Sequence, residues 1–159
     1  MKKPIAVNHL EKPRILLVDN NPHGLIVRKA LLEEMGFSVQ TSANGEEALQ
    51  LFNGSAFDVV VTSLRMPGMT GSELIVKMRQ HRSDARIILL SGFIEGLGLT
   101  GETTADMVLE KNAREGAELV RSVRRLLRLR RPAASHSASP GQAARLTGPS
   151  GSGQTSPGS

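Results

Sequence analysis

The sequence predicts a three-layer α/β domain built on a parallel sheet, and three observations carry that expectation. Short apolar runs rich in Val, Ile and Leu alternate with segments of helical periodicity from Arg14 to Leu129, the pattern of repeated βα units. The run Val59-Val60-Val61 has no polar alternation, so its strand should be covered on both faces, as parallel strands are. That run stops at Thr62-Ser63 and passes straight into the turn residues Met66-Pro67-Gly68, which delivers a small hydroxyl to the rim of the sheet. Right-handed crossovers then place helices on both faces, and ligands bind beyond the carboxyl ends of the strands.

The elements follow in order. Residues 1–13 form a polar arm, and Arg14 to Val18 (RILLV) is the first strand, followed directly by Asp19, Asn20 and Asn21. Pro22 suits the first turn of a helix whose apolar positions Leu25, Ile26, Ala30, Leu31 and Met35 recur at helical spacing, and Gly36 ends it. Phe37 to Thr41 is a short second strand. Asn44 caps a helix containing Ala48, Leu49 and Phe52, which Asn53-Gly54 closes. After the third strand, Thr70 caps a helix with Leu74, Ile75 and Met78 on its core face, and Arg86 to Leu90 (RIILL) is the fourth strand, ending at Ser91-Gly92.

Phe93 to Thr104 is rich in Gly and Thr and supports at most a short, weak helix. Its GLGLTG matches G-x-G-x-x-G, but a dinucleotide fingerprint belongs after the first strand, and here it lies downstream of the fourth. Asp106 to Glu110 is a fifth strand, ending at Lys111. Ala113 to Leu129 is an amphipathic helix in which Ala117, Val120, Val123 and Leu127 should pack inward while Arg121, Arg124, Arg125 and Arg128 face solvent. The sequence therefore divides into the arm, a domain over 14–130, and a Pro/Ser/Gly-rich tail over 131–159 that is expected to be disordered.

Composition limits the chemistry. There is no Cys, which removes disulfides, thiolate metal sites and thiol nucleophiles and agrees with a reducing, cytoplasmic setting. The absence of Trp and Tyr leaves little for stacking on bases or sugars. His9, His23, His81 and His136 lie far apart without metal-ligand spacing. No apolar run approaches the length of a membrane span. The net charge of +5 could suit nucleic acid, yet the arginines of the last helix read as a solvated face and no helix-turn-helix follows, so nucleic acid is not the expected partner.

What remains is the set of residues at the strand ends: Asp19 and Asn20 after the first, Ser63 after the third, Ser91 after the fourth and Lys111 after the fifth. In a parallel sheet these converge on one cleft. With ILLVDNNP, TSLRMPGMTG, LLSG and LEK in this order and spacing, the chain resembles the receiver domain of bacterial two-component response regulators. The resemblance implies a flavodoxin-like fold with sheet order 2-1-3-4-5. It also implies a site: an aspartate, here Ser63, that accepts a phosphoryl group from a histidine kinase; an acidic pair, here Asp19 and Asn20, that holds Mg²⁺ with the backbone carbonyl of Arg65; and a hydroxyl and a lysine, here Ser91 and Lys111, that bind the phosphoryl oxygens. The aromatic switch position is Val108, and Asn112 stands where a proline usually follows the lysine.

The departures fall on the chemistry. A site with three carboxylates and one lysine is reduced to Asp19 and Lys111, taking the formal charge from about −2 to about zero. One carboxylate at ~4 Å contributes about 4 kcal/mol per unit of cation charge at an effective dielectric of 20, so Mg²⁺ binding should be weak or lost. Ser63 is no replacement nucleophile, because its hydroxyl is un-ionised where a carboxylate is already an anion. Asp19 and Lys111 are expected to pair, with Asn20, Ser63 and Ser91 completing a neutral hydrogen-bonded cluster. The sequence thus points to a non-enzymatic, single-domain signalling receiver of the pseudo-receiver kind. It would need no cofactor and would contact a histidine kinase or downstream effector through the face formed by 95–131. The alternative is a small α/β module holding a nucleotide or other anion at the same sheet edge.

Overall fold

The computed structural model of the protein describes residues 11–92 and 104–129. Five parallel strands, β1 (Arg14–Val18), β2 (Ser38–Ser42), β3 (Val59–Ser63), β4 (Ile87–Ser91) and β5 (Met107–Glu110), pair in the order β2-β1-β3-β4-β5. The described helices are α1 (Pro22–Glu34), α2 (Gly45–Gly54), α3 (Gly71–His81) and α4 (Glu115–Arg128). This is the flavodoxin-like arrangement expected from the sequence. None of the described helices is long and apolar enough to cross a membrane. The expected helical segment after β4 and the expected disordered tail lie outside the described residues, as does most of the N-terminal arm.

Alternation along the strands divides the core between the two faces of the sheet. Ile15, Leu17, Val59, Val61, Ile88 and Leu90 face Leu32 of α1 and Leu119, Val123 and Leu126 of α4. Leu16, Val18, Val60, Ile87 and Leu89 face Ala48 and Phe52 of α2 and Leu74, Ile75 and Met78 of α3. All residues of β3 and β4 are buried, which is why their sequences carry no polar alternation. β2, at the sheet edge, alternates exposed Ser38 and Gln40 with more buried neighbours.

Local chemistry explains where the elements stop. Gly36 adopts φ +99° after α1; its N–H donates to the Glu33 carbonyl and the Phe37 N–H to the Leu32 carbonyl, the Schellman arrangement. Because Phe37 finishes the helix, β2 begins one residue later than its apolar run suggests. Asn44 caps α2 by accepting from the Glu47 N–H, and Thr70 and Glu73 form a reciprocal capping box on α3.

Two helix faces differ from the sequence expectation. On α1, Ile26 is 66% exposed and Ala30 and Met35 also face outward, whereas Leu32 is the buried residue, flanked by half-buried Leu25 and Leu31. A helix with apolar residues on several sides has no single stripe for periodicity to find, so packing decided its rotation. On α4, Ala117 is exposed while Leu119 and Leu126 are buried with Val120 and Val123. The larger leucines bury more area than an alanine and take the inward positions. Arg121, Arg124, Arg125 and Arg128 are exposed, as expected.

Candidate functional site

The carboxyl ends of β1, β3, β4 and β5 converge on one hydrogen-bonded cluster. At the end of β1, the Asp19 N–H donates to the Ser42 carbonyl of β2 at 3.1 Å, which fixes the backbone. The Asp19 side chain is buried, with 1% of the residue exposed. Its Oδ1 accepts from the Asn21 N–H at 3.0 Å, and Asn21 in turn caps α1 through the His23 and Gly24 N–H groups. Its Oδ2 accepts from Arg28 Nη1 at 2.8 Å and from Lys111 Nζ at 3.5 Å. Arg28 reaches onward to Glu115 at the start of α4, with Nε donating to one carboxylate oxygen and Nη2 to the other. Burial by itself would lower the Arg28 pKa, but the hydrogen bond and charge of Glu115 and then Asp19 outweigh it, so the guanidinium lies above its ordinary value.

At the end of β3, Ser63 is buried and its Oγ accepts from Lys111 Nζ at 2.8 Å. The loop that follows is held by backbone contacts. The Leu64 N–H donates to the Leu90 carbonyl and the Gly71 N–H to the Leu64 carbonyl, both at 2.8 Å. A Cβ on Gly71 would sit 2.2 Å from the Ser63 carbonyl oxygen, so only glycine permits this approach of α3 to the strand end. Lys111 is positioned by its own N–H donating to the Ser91 carbonyl at 2.8 Å. Ser91 is buried beside it.

The strand-end residues of the sequence are therefore gathered, with one difference from expectation. Asp19, Ser63, Ser91 and Lys111 come together in a largely buried cluster, but Asn20 is exposed and lines an open cleft of ≈ 380 Å³ with Arg65, Met66, Pro67 and Thr70. Val108 is half-buried and packs on the α2/α3 side of the sheet.

Residues 15–124 match the response regulator receiver domain. The chain belongs to this family. It is 35% identical to the response regulator protein TrrA of Thermotoga maritima, solved in complex with Mg²⁺-BeF, over 72% of this chain and 99% of that one, with a TM-score of 0.68. The receiver domain of HemR from Leptospira biflexa, non-phosphorylated in its structure, is 28% identical over 76% and 98% of the two chains, with a TM-score of 0.66. Among curated proteins, the sensor histidine kinase GacS of Pseudomonas protegens is 40% identical over 45% of this chain, which covers only 8% of the kinase. The protein is thus a receiver domain of two-component signalling, similar to the receiver parts of much longer sensor kinases.

Members of such a family are expected to hold Mg²⁺, and the residues present do not fit it. Mg²⁺ demands near-octahedral oxygen ligands and favours carboxylates. Among the described residues there is no cluster of three or more His, Cys, Asp or Glu side chains able to hold a metal. Asp19, the carboxylate bonded to Lys111, already accepts from three donors.

Arg28 and Glu115 are the site residues that sequence reasoning missed. Arg28 lies three residues after Leu25 and four before Leu32, so a charge sat on the inward stripe of α1. That is the signal that could have found it, since a cation facing a core requires a partner. Glu115 carried no such signal, because an acid in the first turn of a helix is ordinary.

Proposed function

We propose that this receiver signals by protein contact, without accepting a phosphoryl group. The observation that supports the reading is Ser63, a neutral, buried hydroxyl bonded to Lys111, which we take as the counterpart of the family's acceptor aspartate. Phosphoryl transfer depends on positioning and on metal electrostatics. Here the acceptor is un-ionised and the second acidic position is Asn20, which faces solvent. In this reading the protein is a non-enzymatic pseudo-receiver, and Lys111 serves as a structural hydrogen-bond donor. The test is incubation with acetyl phosphate and millimolar Mg²⁺ followed by intact-mass analysis. No mass increase is expected; a phosphorylated species mapped to Ser63 sinks the proposal. Ser63→Asp together with Asn20→Asp measures how much of the chemistry is lost through those two positions alone.

The partner surface in this reading is the 95–131 face, of which residues 104–129 are described. Met107 and Leu109 of β5 line a groove of ≈ 630 Å³ with Glu118, Ser122 and the exposed Arg121, Arg124, Arg125 and Arg128 of α4. An apolar floor with a predominantly cationic wall suits an acidic segment of a histidine kinase or effector, with attraction that salt weakens. Arg121, Arg124 and Arg128 changed together to Glu should abolish recovery of the partners that the wild type captures from its host. Equal recovery by the triple variant removes this face from consideration.

A further inference from the structure

We propose that Arg28 is a built-in cation that neutralises the pocket in place of a divalent metal, so the protein holds its site in one charge state without any ion. A buried carboxylate must be compensated, and Asp19 is almost wholly buried. Arg28 compensates it from inside the fold, at 2.8 Å, with its side chain only 12% exposed. The guanidinium fork then spends its other edge on Glu115, also 12% exposed at the side chain. Two carboxylates from different elements are thereby bridged by one planar group, a geometry that lysine's point charge cannot reproduce.

Gly24 makes the room. A Cβ there would lie 2.7 Å from Arg28 Nη1 and 3.3 Å from Asp19 Oδ2. A side chain at this position would press on the guanidinium where it is bonded to Asp19. With Lys111 also on Asp19, the described cluster holds two cations and two anions. An arriving Mg²⁺ would have to displace Arg28 from Asp19 and then tolerate its charge nearby. The same bridge extends the pocket network to α4, because Glu115 is that helix's first residue and α4 carries the arginine wall.

This inference goes beyond the loss of phosphoryl acceptance and can fail separately from it. The probes are Mg²⁺ for melting temperature and Mn²⁺ for paramagnetic broadening of backbone amides, applied to the full chain. In the wild type, millimolar Mg²⁺ is expected to leave the melting temperature unchanged and Mn²⁺ to spare the Asp19, Asn20 and Ser63 amides. Arg28→Met leaves Asp19 and Glu115 without the fork and should gain a Mg²⁺-dependent rise of about 3–6 °C, absent from Arg28→Met/Asp19→Asn. Arg28→Lys loses the fork between Asp19 and Glu115 but keeps a positive charge in the cluster, and that charge alone is expected to leave the protein indifferent to the ion. Selective broadening at Asp19 in the wild type, indifference of a folded Arg28→Met to Mg²⁺, or a rise in Arg28→Lys each overturns the proposal. Should Arg28→Met not fold, the wild-type Arg28 Nε–H resonance decides: it is expected to be protected from solvent exchange and unmoved by Mg²⁺, and loss of that protection on adding the ion overturns it. A wild type that binds Mn²⁺ yet refuses acetyl phosphate would remove the built-in cation and leave contact signalling standing.

Discussion

The ends of β1 and β3 meet at Lys111 and are held in opposite ways. At β1 the anchor is ionic: Asp19 is fixed by Arg28 and Lys111, and Arg28 by Glu115. At β3 the anchor is the backbone: Gly71 bonds to Leu64, Leu64 to Leu90, and Thr70 and Glu73 cap each other, around a Ser63 that carries no charge. The bonds that shape the β3 loop are made by backbone groups and by the Thr70–Glu73 cap, so a serine at its head is compatible with the course the loop takes. The β1 end differs, because its geometry is made by the charges themselves.

The largest expected effect falls at β1. Asp19→Ala removes the shared partner of Arg28 and Lys111 and should cost about 3–5 kcal/mol, read as a lowered urea midpoint with unchanged slope. A cost below about 1 kcal/mol would mean that the ion pairs follow the fold and do not anchor it, and the contrast between the two ends would collapse. An intermediate effect belongs to the β3 backbone: Gly71→Ala forces a Cβ against the Ser63 carbonyl and should cost about 1–3 kcal/mol. If it is neutral, the loop has slack, and its course is not what preserves the site. The smallest effect is expected for Ser63→Ala, under about 1 kcal/mol, because Lys111 is 29% exposed at the side chain and retains Asp19. A loss approaching that of Asp19→Ala would assign Ser63 an anchoring part and reverse the comparison.

Much of this molecule was legible in sequence, and the reasons differ by region. β3 was readable because a strand buried on both faces has no polar residue to mislead, and the caps Asn44 and Thr70 were readable because they act on neighbours three residues away. The gathering of Asp19, Ser63, Ser91 and Lys111 was readable because a parallel sheet brings carboxyl ends together whatever the helices do, whereas the outward turn of Asn20 was not. The rotation of α1 was not, since Ile26 and Leu32 are equally apolar and only tertiary packing chooses between them. Missing the rotation hid Arg28, and with it Glu115, 87 residues further along the chain. A simple tally of Asp19 against Lys111 reached neutrality, and the structure reaches it too, through a second cation and a second anion that the tally did not contain.

Compensated charge also constrains how such a site can change over evolutionary time. Arg28 answers to both Asp19 and Glu115, and Asp19 to both Arg28 and Lys111, so replacing any one of them strands a partner in a poorly hydrated place. Substitutions that would each be tolerable in a neighbour's absence become harmful in its presence, and coupling of this kind makes the order of replacements matter. Any change of charge at this site thus runs through paired replacements, because Asp19, Arg28, Glu115 and Lys111 each answer to another member of the set.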